Sequence, residues 1–317
     1  MNRRAHRGLV VGAGLLLAAL PALAETRIEK NLALAPGGAF RLETDMGSVT
    51  VTASPDTGAH IVITSKRKEL EDILTFRFEE GAASASVVAR KKHAASSWFS
   101  SNGGSVHYEI RVPAQTKLTV DTSGGSINVS GMRLPAKLDT SGGSITVSDL
   151  VGDLDGNTSG GSIDLKDIKG RVRVETSGGG IEAASIDGPV HAQSSGGSIE
   201  LQKVTGDIDA DTSGGSIRIV EAGGRVRADT SGGGIEASFT KGNSRGGSLE
   251  TSGGGIEVSV DSGADLAIDA SGSSVKADIP ILVHGEISRG SLQGTLGKGG
   301  NTLRLHTSGG SVRIQAL

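Results

Sequence analysis

From Lys117 onward, apolar and polar residues alternate in short bursts separated by glycine corners, and the bursts recur at a fixed interval. The motif (Thr/Ser)-Ser-Gly-Gly-(Ser/Gly)-Ile begins at Thr122, Thr140, Thr158, Thr176, Ser194, Thr212 and Thr230, always at the same 18-residue step. Less regular copies start at Thr251, Ala270 and Thr307, and an early relative, Thr44-Asp45-Met46-Gly47-Ser48-Val49, lies near the N-terminus. A repeat of this size is one supersecondary unit stacking on the next, as in a solenoid.

Numbering each repeat from its Thr sorts the positions. Position 6 is Ile in every regular copy, from Ile127 to Ile235, and position 8 is Val129, Val147, Leu165, Ala183, Leu201, Ile219 or Ala237. These alternate with polar residues, as a half-buried strand does. A second alternating pair falls at positions 15 and 17 (Val172 and Val174, Ile208 and Ala210), and position 11 adds Leu150, Ile168, Ile186 and Val204. Glycines at positions 3, 4 and 13 mark corners, where positive φ or close backbone approach is needed. Each repeat therefore reads as two main strands and a short third, wound around a narrow aliphatic core.

The outward charges set the register. Positions 14 and 16 carry Asp153/Asp155, then Arg171/Arg173, Pro189/His191, Asp207/Asp209 and Arg225/Arg227. Neighbouring strands lie about 4.8 Å apart, so like charges stacked in register would repel, and here acidic and basic rungs alternate. Position 18 mixes carboxylates with amides: Asp139, Asn157, Glu175, Gln193, Asp211. The predicted fold is all-β, a single-stranded parallel β-helix (β-solenoid) of 18-residue rungs over residues 114–317. Irregular N-terminal strands over residues 25–113 are expected to cap it.

Residues 1–24 read as a signal peptide. Arg3, Arg4 and Arg7 precede an apolar stretch from Gly8 to Leu20, then Pro21 and the small-x-small site Ala22-Leu23-Ala24. The stretch is shorter than the roughly 20 residues of a spanning helix, so the expected product starts at Glu25 with no transmembrane segment. It is expected outside the cytoplasm, in the periplasm first, with secretion or surface display as alternatives. The chain has no cysteine, which leaves packing and hydrogen bonding to stabilise it. A net charge of −3 gives no general attraction to nucleic acid. Fifty glycines with 2% aromatics would suggest disorder if they lacked a period.

Phe40-Arg41-Leu42-Glu43-Thr44-Asp45-Met46-Gly47-Ser48-Val49-Thr50-Val51, then Tyr108-Glu109-Ile110-Arg111-Val112-Pro113, then the glycine array resemble the bacterial adhesin-like β-strand-repeat family. The resemblance spans about residues 30 to 317 and implies a β-solenoid of unknown function with no catalytic residues to carry over. Thr-Ser-Gly-Gly stands where many relatives have Ser-Asn-Gly.

Motifs for chemistry are sparse. The histidines are scattered, with no His-Glu-x-x-His pair for zinc. Gly242-Asn243-Ser244-Arg245-Gly246 matches the Gly-x-Ser-x-Gly pattern, but in an insertion within the repeat rather than at a strand-to-helix elbow. Asp164, Glu182, Glu200, Glu236 and Glu257 share position 7, interrupted by Arg218; such a column is either a solvated stripe or a place for calcium. The Thr and Ser ladders at positions 1 and 2 read as structural, because position 1 has the parity of the inward positions. One segment breaks the pattern: Arg90-Lys91-Lys92 leads into a Ser/Gly-rich stretch holding Trp98 and Phe99. It is either a cover for the open end of the core or a contact site for an envelope protein, glycan or lipid. The function expected is a non-enzymatic, adhesin-like or envelope structural protein with no cofactor. A calcium-stabilised, or carbohydrate-binding or carbohydrate-active, β-helix module is the alternative.

Overall fold

The computed structural model describes residues 26–66, 70–92, 106–284 and 288–317. The targeting segment and Trp98 and Phe99 lie outside them. Among the described residues no helix is long and apolar enough to cross a membrane.

Each 18-residue repeat contributes one strand to each of two sheets, of 14 and 15 strands, and the repeats stack in parallel. The rung of Thr176, for example, runs from Val172–Thr176 in one sheet, through the Ser-Gly-Gly-Gly corner, to Ile181–Asp187 in the other. Identical positions pair: Val172 with Val190, Arg173 with His191, Ile181 with Ile199. The predicted charge alternation is realised in this register, with Asp155 beside Arg173, His191 beside Asp209, and Asp209 beside Arg227. The core is a single aliphatic column in which positions 6, 8, 11, 15 and 17 are buried, and position 11 follows a bend rather than opening a third sheet.

That bend carries a feature the sequence did not announce. Position 10 adopts a left-handed backbone in five consecutive rungs, at Asp149, Asp167, Ser185, Lys203 and Glu221, with φ between 51° and 60°. None of them is glycine, although the conformation costs an L-residue about 1–2 kcal/mol.

The corners are held by threonine. Position 1 is buried in every regular rung, and its hydroxyl donates to the carbonyl of the position-4 glycine one rung earlier: Thr140 to Gly125 at 2.8 Å, Thr158 to Gly143 at 2.7 Å, Thr176 to Gly161 at 2.8 Å, Thr212 to Gly197 at 2.8 Å. The same oxygen accepts the amide of its own rung's position-4 glycine, as Gly179 to Thr176 at 3.3 Å. Position 4 must be glycine because the corners nest. A Cβ on Gly143, Gly161, Gly179, Gly197 or Gly215 would fall inside the contact distance of the preceding corner's backbone.

Both ends depart from sequence order, and they do so in the same way. The rung of Thr44 (Ala39–Thr44 and Ser48–Ser54) stacks directly on the rung of Thr122, Thr44 beside Thr122 and Val49 beside Ile127. The later strands Ser84–Lys91 and Val106–Pro113 lie outside it, followed by the antiparallel strands Leu74–Glu79 and Ala59–Ser65. The stack therefore runs across residue 113 without a break. At the other end the last rung (Asn301–Thr307 and Ser311–Ala316) sits between the rung of Thr251 and the strands Leu266–Ser271 and Ser274–Ala277. Here the sequence register needs correction. Ala270 pairs with Leu305, so it holds position 17 rather than position 1, and its corner is shortened. Ser273 takes over the threonine's role, its hydroxyl donating to Gly310 at 2.7 Å. At the N-terminal end the ladder closes on Tyr108, whose buried hydroxyl lies 2.8 Å from that of Thr44.

Two substitutions separate these effects. Gly179→Ala should destabilise the fold by about 1–3 kcal/mol through overpacking of the corner. Lys203→Gly, on the exposed bend, should stabilise it by about 0.5–1 kcal/mol through relief of the left-handed strain. Denaturant midpoints of the two variants check both signs.

Candidate functional site

Each rung exports the same residues to the same place, so the surface is built of columns. At the threonine corner, positions 18 and 2 flank the buried position 1 and form a shallow trough of about 480 Å³ from Asp121 to Ser195. One wall carries Asp121, Asp139, Asn157, Glu175 and Gln193, and the other carries Ser141, Ser159, Ser177 and Ser195. The threonine hydroxyls beneath point inward and are engaged in the ladder, so the hydroxyl array is a structural device, as its parity indicated. The wall is largely self-satisfied: Asn157 donates to Asp139 at 3.0 Å, Lys137 lies 3.9 Å from Asp139, and Arg173 pairs with Glu175.

Farther along the same face the stacking brings together His191, Asp209 and Asp211, whose ligand atoms lie within 4.8 Å of one another. His191 stands a full rung before the two carboxylates, so the cluster has no local motif and becomes legible only once the register is known. His191 Nδ1 lies 3.0 Å from Asp209. The donor set suits a divalent cation, but Arg227 reaches it from the next rung, 3.3 Å from Asp209 and 3.8 Å from Asp211. The position already holds an internal cation. Burial pushes the Asp211 carboxyl up, the neighbouring Asp209 and Asp229 add to that, and Arg227 and His191 offset only part of it.

The acidic position-7 column is interrupted as its sequence suggests. Arg218 bridges it, pairing with Glu236 and lying 3.9 Å from Glu200. In the 242–246 loop the side chain of Asn243 is buried and donates to the carbonyls of Ala222 at 2.7 Å and Gly224 at 3.0 Å. Ser244 accepts the amide of Asp265 at 3.0 Å. The Gly-x-Ser-x-Gly match is thus a clamp that seats an insertion.

Of the basic cluster, Arg90 is committed to the fold. Its guanidinium pairs with Glu43 and, at 3.0 Å, with Asp45, which also accepts the Lys91 amide at 2.8 Å. Burial alone would raise the Asp45 carboxyl, but the Lys91 amide and the Arg90 guanidinium outweigh it and hold the group below the usual carboxylate range. The side chains of Lys91 and Lys92 are exposed. Both precede the segment that replaces the short glycine corner between the strands Ser84–Lys91 and Val106–Pro113, and Trp98 and Phe99 of that segment lie outside the described residues.

A stacked, glycine-cornered parallel solenoid with threonine ladders defines the class. The chain matches the Toastrack DUF4097 family over residues 40–315 and belongs to it. No curated protein matches it by sequence. Among solved structures it is similar to a candidate lipid-binding protein from Parabacteroides distasonis, at 14% identity and a TM-score of 0.43, covering 92% of this chain and 96% of that one. It is also similar to a candidate adhesin from Bacteroides fragilis, at 11% identity and a TM-score of 0.36, covering 94% and 99%. A third, a candidate adhesin from Parabacteroides merdae, shares 10% identity at a TM-score of 0.32, covering 92% and 95%.

The Asp211 environment gives a signed pH dependence. A carboxyl raised in the folded state binds its proton more tightly there than in the unfolded chain. Its penalty is therefore absent below the unfolded value near 3.9, grows as pH rises through the folded value, and is complete at neutral pH. Asp211→Asn should raise the melting temperature at pH 7 and give no gain at pH 3, measured by thermal melts at both.

Proposed function

We infer that the chain is an exported envelope protein that acts as a rigid interaction scaffold rather than as an enzyme. The observation that carries this reading is the fate of the polar side chains. Several charged groups along the columns are paired between or within rungs, as Asp155 with Lys137, Asp209 with Arg227 and Glu236 with Arg218, and position-1 hydroxyls hold the corners. The trough they border is shallow and open, unlike the concave, convergent pockets that bind small molecules. What the stack offers is a long surface with a fixed spacing, suited to contact over area. Export rests on the basic n-region, the apolar stretch and the Ala22-Leu23-Ala24 site, with the periplasm as the compartment.

The contact site we propose is the segment after Lys91 and Lys92. In the sequence it is a Ser/Gly-rich stretch carrying Trp98 and Phe99, and the two lysines that precede it are exposed. Trp and Phe are enriched at contact surfaces. The partner is an envelope protein, glycan or lipid.

Photo-crosslinking from position 98 in intact source cells, followed by mass spectrometry, tests this. A discrete, saturable adduct with one envelope component is expected. Self-crosslinks alone would make the segment a cover for the solenoid end and overturn its role in contact.

A further inference from the structure

The rung Asn301–Thr307 and Ser311–Ala316 is inserted between two pairs of strands that precede it in the sequence. The strands Gly247–Thr251 and Ile256–Val260 form one wall of its slot, and Leu266–Ser271 with Ser274–Ala277 form the other. Leu303, Leu305, Val312 and Ile314 are buried between them, and Thr307 donates to Gly254 at 2.7 Å.

Charge matches the tail to the slot. Residues 301–317 carry Arg304, His306 and Arg313 and no acidic side chain. Glu250 and Glu257 face His306 and Arg313 from one wall. From the other, Asp269 lies 3.6 Å from Arg304 and Asp278 lies 2.9 Å from Arg313.

The walls also fit each other. With the tail out, Ser273 can donate to Gly254 as it now does to Gly310, and Val275 and Ala277 come into register with Ile256 and Val258. Lys276, which now stacks against the like charge of Arg313, would meet Glu257 instead. Both arrangements use the same strand pairing and the same corner bond, so the element has two packings of similar kind. The tail leaves the cap through Gly297-Lys298-Gly299-Gly300, in which Gly297, Gly299 and Gly300 have φ of 60°, 78° and 155°. Such a glycine turn can re-aim the tail without distorting the rungs.

We propose that residues 301–317 are an exchangeable strand pair, and that two copies of this chain donate their tails into each other's slots to form a closed two-fold dimer. The occupant of the slot is the same sequence in either case, so exchange preserves every contact and changes only which chain supplies it.

The absence of native cysteine makes the test clean. Gln315 donates to Ser259 across the slot wall at 3.1 Å, and the two residues are paired neighbours, within the Cα separation that a disulfide bridges. The double variant S259C/Q315C should oxidise within one chain under dilute conditions. Full-length S259C and Q315C, mixed at high concentration, incubated and then oxidised, should give a disulfide-linked heterodimer of doubled mass. Neither variant alone should yield that product in comparable amount. A mixture that stays monomeric while the double variant closes overturns exchange. Equal dimer from S259C alone also overturns it, as collision at the surface, and a double variant that fails to close overturns the slot itself.

Discussion

The structure depends on one bond repeated along the rod, the position-1 hydroxyl donating to the position-4 glycine carbonyl of the preceding rung. In a stack of near-identical strands a one-residue slip would turn the apolar positions outward, but a two-residue slip keeps them inward. The corner removes that freedom. Its hydroxyl reaches one carbonyl only, and the nested glycines admit no Cβ, so a rung shifted along its neighbour would lose a buried bond and collide with the backbone. Satisfaction of buried polar groups follows from this: among the described residues Thr116 Oγ1 is the only buried side-chain polar atom without a partner. The charge columns act second. They are exposed pairs worth about 0–1 kcal/mol each, and they penalise wrong registers more than they strengthen the right one.

The ends solve a different problem. A stack of parallel rungs leaves open edges, which invite pairing with other chains, and chain termini fray when they are not tied down. Here the first and last regular rungs are each placed one layer inside the stack and covered by strands from elsewhere in the chain. The outermost N-terminal strands are antiparallel and edged with charge, as in Arg27 with Glu29 and Arg77 with Glu79. The corner ladder is closed at one end by Tyr108, whose hydroxyl is pushed up to about 12 mainly by burial and shares a hydrogen bond with that of Thr44, and at the other by Ser273.

Much of this was legible in the sequence because the repeat converts spacing along the chain into position in space. Once Thr122, Thr140 and Thr158 are known to stack, the partners of Asp155, Arg173, His191 and Asp209 follow. What stayed hidden lay where the period fails. The insertion of the last rung is a choice among neighbours with the same pairing code, and nothing in residues 301–317 alone reveals which two strands they separate. The short corner at Gly272 moved Ala270 from position 1 to position 17. The left-handed bend at position 10 falls on Asp twice, a residue that tolerates it, but also on Ser, Lys and Glu, which give no signal for it. Of the candidate site, Arg90 proved to be spoken for by Glu43 and Asp45, a pairing between strands distant in the chain that local composition does not show. The pairing of His191 with Asp209 follows from the register, whereas the approach of Asp211 and Arg227 to them is a matter of side-chain geometry.

The repeated corner gives the stack a fixed spacing from rung to rung. The threonine corner, rather than general hydrophobic stacking, holds the rungs in place. A thermodynamic series of Thr→Val at Thr140, Thr176 and Thr212, single and combined, tests it most directly, because valine keeps the shape and removes the hydroxyl. A loss of about 1–2 kcal/mol is expected at each site, from a buried carbonyl and amide left without their partner, with near-additive losses in the triple variant since the sites are two rungs apart. Valine variants as stable as the parent would contradict it and leave the aliphatic column as the sole determinant of the stack.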